Sequence, residues 1–185
     1  MEISSLLSSP VTLQELNIVR DEILQNPVKF NDVYLLIFNE NSKLAWRAAW
    51  AVEKISEKNT SFFSENHILQ LMSFYTENDN QDKCAYSPSN SLKREILSIL
   101  INLSLPKNIP VEFINVCFDK IISMKEPVAI QTLCMKMLLR ITDIEPDFIT
   151  EIIVTLENID LSRVTSGYIA CRKNILQTLY KKSKS

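Results

Sequence analysis

Apolar residues recur at helical spacing along most of this chain. In residues 44–55 the stripe Leu44, Ala48, Ala51, Val52 and Ile55 covers one helix face, because residues three and four apart lie above one another. Trp46 and Trp50 fall on nearly the opposite face, beside Glu53 and Glu57. A helix with apolar matter on both sides packs on both sides, as it does between stacked helical layers. The same periodicity predicts helices near 11–25, 28–39, 43–57, 64–75, 91–104, 110–123, 127–141, 146–158 and 163–182, with Asn41 and Ser42 supplying the cap of the third. Pro10, Pro27, Pro106, Pro110, Pro127 and Pro146 stand at the boundaries, where a missing N–H costs little. Residues 76–90 read as a polar loop, and residues 181–185 as a polar, frayed tail.

The nine helices pair. Aligned on its last large aliphatic residue, the first helix of each pair is anchored at Ile23, Ile55, Leu103, Ile141 and Leu179, at intervals of 32, 48, 38 and 38 residues. The long interval contains the polar loop. Similar residues precede the anchors: Ala51-Val52, Ile99-Leu100, Met137-Leu138 and Ile175-Leu176. The partner helices carry Phe30 and Val33, Ile68 and Leu71, Phe113 and Ile114, Phe148 and Ile149. A recurring helical pair of about 33 to 47 residues is the signature of a repeat architecture, and a lone last helix suits a terminal cap. The small-residue stripe of 44–55 is expected to meet its own partner helix. Trp46 and Trp50 are read as core between neighbouring repeats, the alternative being an exposed aromatic anchor for a peptide.

Arg47-Ala48-Ala49 ahead of Val52 and Ile55 resembles the first helix of a HEAT repeat, and the whole chain resembles HEAT/ARM-like α-solenoids. The second half, from Val116-Cys117-Phe118-Asp119 through Glu126-Pro127-Val128-Ala129 to Tyr168-Ile169-Ala170-Cys171-Arg172, is similar to a family of small bacterial HEAT-like proteins of uncharacterised function. The resemblance implies an all-α fold, a short right-handed α-α superhelix of about nine helices, in a single domain over 1–185. It carries no catalytic residue. Members of that family have been labelled adenylosuccinate lyase, an enzyme family with a Gly- and Ser-rich signature loop and catalytic histidines. One Gly and one His do not support that label here.

Composition narrows the chemistry. With 46% hydrophobic residues the chain is globular, and one Gly in 185 residues argues against β-hairpins and phosphate-binding loops. No basic n-region opens the chain, and the longest nearly apolar run is about half of the roughly 20 residues a bilayer span requires, so a cytoplasmic protein without a membrane partner is expected. Cys84, Cys117, Cys134 and Cys171 are widely spaced and read as small core residues in a reducing compartment. Scattered Cys and a lone His67 supply no metal set, and no cofactor motif is present. His67 has no sequence neighbour suited to general acid–base work. The carboxylate pairs Glu112/Asp119 and Asp147/Glu151 are of a kind that surface helices carry routinely, so no catalytic residue is assigned.

Charge placement points to a surface. Acids and amides decorate the second helices: Asn31 and Asp32, Glu65, Asn66 and Gln70, Glu112, Asn115 and Asp119, Asp147 and Glu151. The bases Arg20, Arg47, Lys54, Lys93, Arg94, Lys136, Arg140, Arg172 and Lys173 sit on first helices. The resemblance places second helices on the concave side, which implies an acidic-to-neutral groove whose candidate partner-binding residues are Asn66, Gln70, Glu112, Asn115, Asp119, Asp147 and Glu151. Glu65, Glu112 and Asp147 also fit plain dipole compensation at helix starts. The expected function is a non-enzymatic protein–protein interaction or scaffold module for a protein or peptide partner. The alternatives are nucleic-acid binding along the basic first-helix face and an enzyme of unrecognised type. A net charge of −2 argues against the former. The polar-rich start (Ser4, Ser5, Ser8, Ser9) and the basic last helix predict capped ends and a monomer, with a homodimer as the alternative.

Overall fold

Five helices begin at a side-chain cap that satisfies an N–H of the first turn: Thr12, Asn41, Ser64, Ser89 and Thr165. At Thr12 the cap is reciprocal. Its backbone N–H donates to Glu15 Oε2 at 2.7 Å while Glu15 N–H donates back to Thr12 Oγ1 at 3.3 Å. Pro110 and Pro127 occupy two further cap positions, where no N–H is needed. No described residue takes a positive φ, so helix ends here are built without left-handed caps and a single glycine suffices.

The computed structural model describes residues 3–78, 89–123 and 125–184. Among them are ten α-helices and no strand. The chain divides into two compact units, Met1–Pro106 and Lys107–Ser185. The first holds α1 (Ile3–Ser8), α2 (Leu13–Gln25), α3 (Phe30–Leu35), α4 (Ser42–Ser56), α5 (Glu65–Glu77) and α6 (Asn90–Asn102). The second holds α7 (Val111–Ile122), α8 (Val128–Ile141), α9 (Phe148–Glu157) and α10 (Ser166–Lys182). All five repeat anchors, Ile23, Ile55, Leu103, Ile141 and Leu179, are buried.

The elements differ from those predicted in three places. A tenth helix, α1, precedes the nine predicted ones. Ile3 and Leu7 bury one side of it, and the Arg47 guanidinium donates to the Leu7 and Ser8 carbonyls at 3.2 and 2.9 Å, satisfying its last turn. The helix predicted over 28–39 is instead α3 between two 3₁₀ turns, Pro27–Lys29 and Leu36–Phe38. Phe30, Val33, Tyr34, Ile37 and Phe38 are β-branched or aromatic, with low helix propensity, and short tight turns accommodate such a run. The expected loop 76–90 is shorter at its edges, because α5 runs to Glu77 and α6 starts at Asn90; residues 79–88, Cys84 included, lie outside the described residues.

In the first unit α4 is the centre. Nine of its residues are buried, among them Ala45, Ala48, Ala49 and Ala51. Small side chains let neighbouring backbones close in, and α4 packs most extensively against α6, α2 and the turn ending at Phe38. Its own partner helix α5 does not approach it as closely, so the small-residue stripe serves helix stacking more than pairing. In the second unit α8 packs between α7 and α10, and α9 leans on α10. Tyr168, wholly buried, donates from its hydroxyl to the Ile121 carbonyl at 2.7 Å, tying the start of α10 to the end of α7.

Candidate functional site

The second unit contains a surface that its own side chains leave open. One face of α7 is buried through Phe113, Ile114, Cys117 and Ile121, which turns Asn115, Asp119 and Ile122 outward at helical spacing. In α9, Ile152 and Leu156 are buried, which turns Glu151 and Val154 outward. Asn115, Phe118, Asp119 and Ile122 of α7 and Glu151 and Thr155 of α9 line a shallow concavity of about 440 Å³. Its apolar part is Phe118, whose ring lies 6.3 Å from that of Phe148, with the half-exposed Ile122. Among the described residues, the Asp119 and Glu151 carboxylates make neither an ion pair nor a hydrogen bond. Some carboxylates of this unit are held, Glu126 by Lys120, Asp143 by Lys182 and Glu157 by the Tyr180 hydroxyl, while exposed Glu112, Glu145 and Asp147, like Asp119 and Glu151, have no such partner among the described residues.

Of the residues expected to form one acidic groove, the structure brings Asn115, Asp119 and Glu151 together. Glu112 is exposed on α7 and Asp147 is exposed at the start of α9, but neither lines the concavity. Asn66 and Gln70 belong to α5 of the first unit, both exposed. Phe118, Ile122 and Thr155 complete the lining and are not themselves part of the polar stripe that marks the expected groove. The signal was present: apolar Phe118 and Ile122 fall in phase with the polar stripe Glu112, Asn115, Asp119.

The corresponding region of the first unit carries a cluster of rings. The Phe30 ring lies 5.9 Å from Tyr34, 5.2 Å from Phe62, 5.0 Å from Phe63 and 5.7 Å from His67. Tyr34 continues the cluster to Phe38 at 5.4 Å, and Phe38 to Phe74 at 5.1 Å. The single Tyr34 hydroxyl proton is shared between the His67 carbonyl at 2.8 Å and Gln70 Oε1 at 3.2 Å, so Gln70 is already engaged. His67 serves as a cap partner. Its Nδ1 accepts from the Ser64 N–H at 3.1 Å, and burial pushes the imidazole below its ordinary pKa.

Trp46 and Trp50 stack on one another, ring centroids 5.8 Å apart and planes 11° from parallel, and both are half-buried. Trp46 Nε1 is buried without an acceptor among the described residues. Further along α4, Lys54 bridges Glu53 at 3.0 Å and Glu57 at 2.9 Å, and burial raises the pKa of the Glu53 carboxyl.

The basic first-helix face is largely engaged in structure. Arg47 and Lys93 are buried, Lys54 is bridged, Arg20 pairs with Asp21 at 2.8 Å and Arg94 with Glu95 at 2.8 Å. Arg172 Nε donates to the Leu156 carbonyl at 2.5 Å. Lys136 and Lys173 are exposed.

Among the described residues no group of three or more His, Cys, Asp or Glu is placed to hold a metal ion. No described helix is long and apolar enough to cross a membrane. No curated protein and no solved structure gives a significant match to the chain. The model of the HEAT repeat domain matches residues 3–179, nearly the whole length, and the all-helical architecture agrees with it. The chain belongs to the HEAT repeat domain family.

Proposed function

We propose that the protein is a non-enzymatic interaction module that binds a protein or peptide partner in the groove between α7 and α9. One observation carries the reading: two carboxylates unpaired among the described residues, Asp119 and Glu151, line one concavity with Phe118 and Ile122. Exposed charge beside apolar surface is the composition of a recognition patch. An enzymatic reading gains nothing from His67, whose Nδ1 is occupied as an acceptor by the start of its own helix. A nucleic-acid reading lacks its cationic footprint, since most first-helix bases are buried or paired.

The test is selection of displayed random peptides on the full chain and on the triple variant Glu112→Lys, Asp119→Lys, Glu151→Lys. Peptides enriched on the parent should be lost on the variant. Equal enrichment on both would sink the groove as the binding surface. A mobility-shift titration with duplex DNA at low salt should show no complex.

A further inference from the structure

We infer that this groove selects arginine: its occupant is a peptide segment that lays an arginine guanidinium over the Phe118 ring, between the Asp119 and Glu151 carboxylates, with an aliphatic neighbour on Ile122. The inference rests on the groove reading above and names the chemistry of its partner.

The argument begins with what the fold does elsewhere. In the first unit the region around α3 and α5 is occupied by the chain's own rings. The residue that fills and fastens it is Tyr34, an apolar body whose polar tip donates its one proton to the His67 carbonyl, with the Gln70 amide oxygen close by. In the second unit the ring Phe118 and the acceptors are in place, but nothing from the described chain fills the space between them. An occupant must therefore bring an apolar or planar body and a donating tip. Here the acceptors are carboxylates, so the tip that best satisfies them is cationic.

Arginine and lysine both carry the charge, and three features of the groove separate them. The guanidinium is planar and stacks on an aromatic face, whereas an ammonium is a compact, strongly hydrated point charge. It presents five donors in a fixed fork, which suits two acceptor groups on two different helices, α7 and α9. Asn115 and Thr155 add uncharged acceptor oxygens on the same rim, which a fork can reach and a single ammonium fills less well. The exposed acids Glu112 and Asp147 lie on the same two helices outside the concavity and favour approach of a positive segment without fixing its position.

The probes are two capped tripeptides, acetyl-Leu-Arg-Leu-amide and acetyl-Leu-Lys-Leu-amide, titrated into the uniformly ¹⁵N-labelled full chain and followed by backbone amide shifts. The arginine peptide should give saturable shifts confined to residues 115–122 and 151–155. The lysine peptide should bind about tenfold more weakly. Asp119→Asn with Glu151→Gln should abolish saturation, and Phe118→Leu should bring the two peptides within about twofold of each other. Equal affinities for the two peptides in the parent overturn the inference, and so do shifts centred elsewhere. Groove shifts that grow with protein concentration alone would make a second copy of the chain the occupant and overturn it too. If neither tripeptide saturates while display-selected peptides still depend on Asp119 and Glu151, the arginine inference fails and the interaction reading stands. If the selected peptides also ignore those residues, both fail.

Discussion

The two units build their second-helix faces in opposite ways. Around α3 and α5 an aromatic cluster running from Phe62 and Phe63 through Phe30, Tyr34 and His67 to Phe38 and Phe74 closes the surface. Between α7 and α9 one ring contact, Phe118 with Phe148, leaves a concavity of about 440 Å³ edged by Asp119 and Glu151. The same alternation of buried and outward positions underlies both. What differs is the size of the side chains at the margin, and with it whether the surface is satisfied internally or from outside. Conserving a fold therefore does not conserve a site, since a repeat can turn either face of this choice toward solvent.

The largest effect that would break this contrast is loss of a ring. Phe30→Ala removes a buried side chain with four ring neighbours and should cost about 3–5 kcal/mol; Phe118→Ala, half-exposed with one ring partner, should cost about 1–2 kcal/mol. Urea unfolding measures both. Both tryptophans lie in the first unit, so their fluorescence reads that unit, while far-UV circular dichroism reads all helices. Where Phe30→Ala does not fold, Phe30→Leu keeps most of the volume and should cost about 1 kcal/mol. Equal costs at Phe30 and Phe118 would mean that both faces are closed core.

Much of the architecture was legible in the sequence. Helical periodicity locates α2 and α4 through α10 to within a few residues, because their apolar stripes are long and, α9 with Asp147 apart, their caps are Thr, Asn, Ser or Pro. Helix α1 was missed because six residues are too few to show a period, and it is secured by Arg47, some forty residues away in sequence. The division of 28–39 into three pieces reflects tertiary packing of rings, which a propensity argument sees only as weak helix. The candidate site was half legible. Asn115, Asp119 and Glu151 were named from the polar stripe, but a one-dimensional reading could not show that Gln70 is engaged by Tyr34. Nor could it show that Phe118 and Ile122 complete the groove.

The next contrast is between two tyrosine hydroxyls. Tyr168→Phe leaves the buried Ile121 carbonyl without its 2.7 Å donor and should cost about 1–3 kcal/mol, read by circular dichroism. Tyr34→Phe should cost about 1 kcal/mol, read by fluorescence, because the acceptors that lose the hydroxyl, the His67 carbonyl and Gln70, are only part-buried and can turn to water. A smaller effect is expected where space is free. Thr155→Phe places a ring in the α7–α9 concavity and should change stability by no more than about 0.5 kcal/mol while blocking peptide capture. A loss of 1–3 kcal/mol, the usual penalty of overpacking, would show that the groove is closed in solution.

The finest distinction is one of pH, and it belongs to the first unit alone because His67 is the only histidine. Its ring is packed edge-on against Phe30, Tyr34 and Phe63, and that burial lowers its pKa from the ordinary 6.5. On acidification the unfolded chain therefore takes up this proton before the folded one. Stability is full above about pH 6.5, falls as the pH drops below it, and levels off once the folded imidazole is itself protonated. The geometry gives the fall a cause, since a protonated Nδ1 can no longer accept the Ser64 N–H that it holds at 3.1 Å. Tyr34, the titratable group packed against it, keeps its proton throughout, as burial raises its pKa. Glutamine at position 67 can accept the same N–H and does not titrate, so His67→Gln should keep the cap and flatten the profile. The measurement is the fluorescence-detected urea midpoint of parent and His67→Gln at pH 7.5 and 5.5. The parent should lose more on acidification than the variant, and the difference cancels the acids common to both. Parallel losses would place His67 outside the sealed cluster and reduce the contrast between the two faces to their carboxylates.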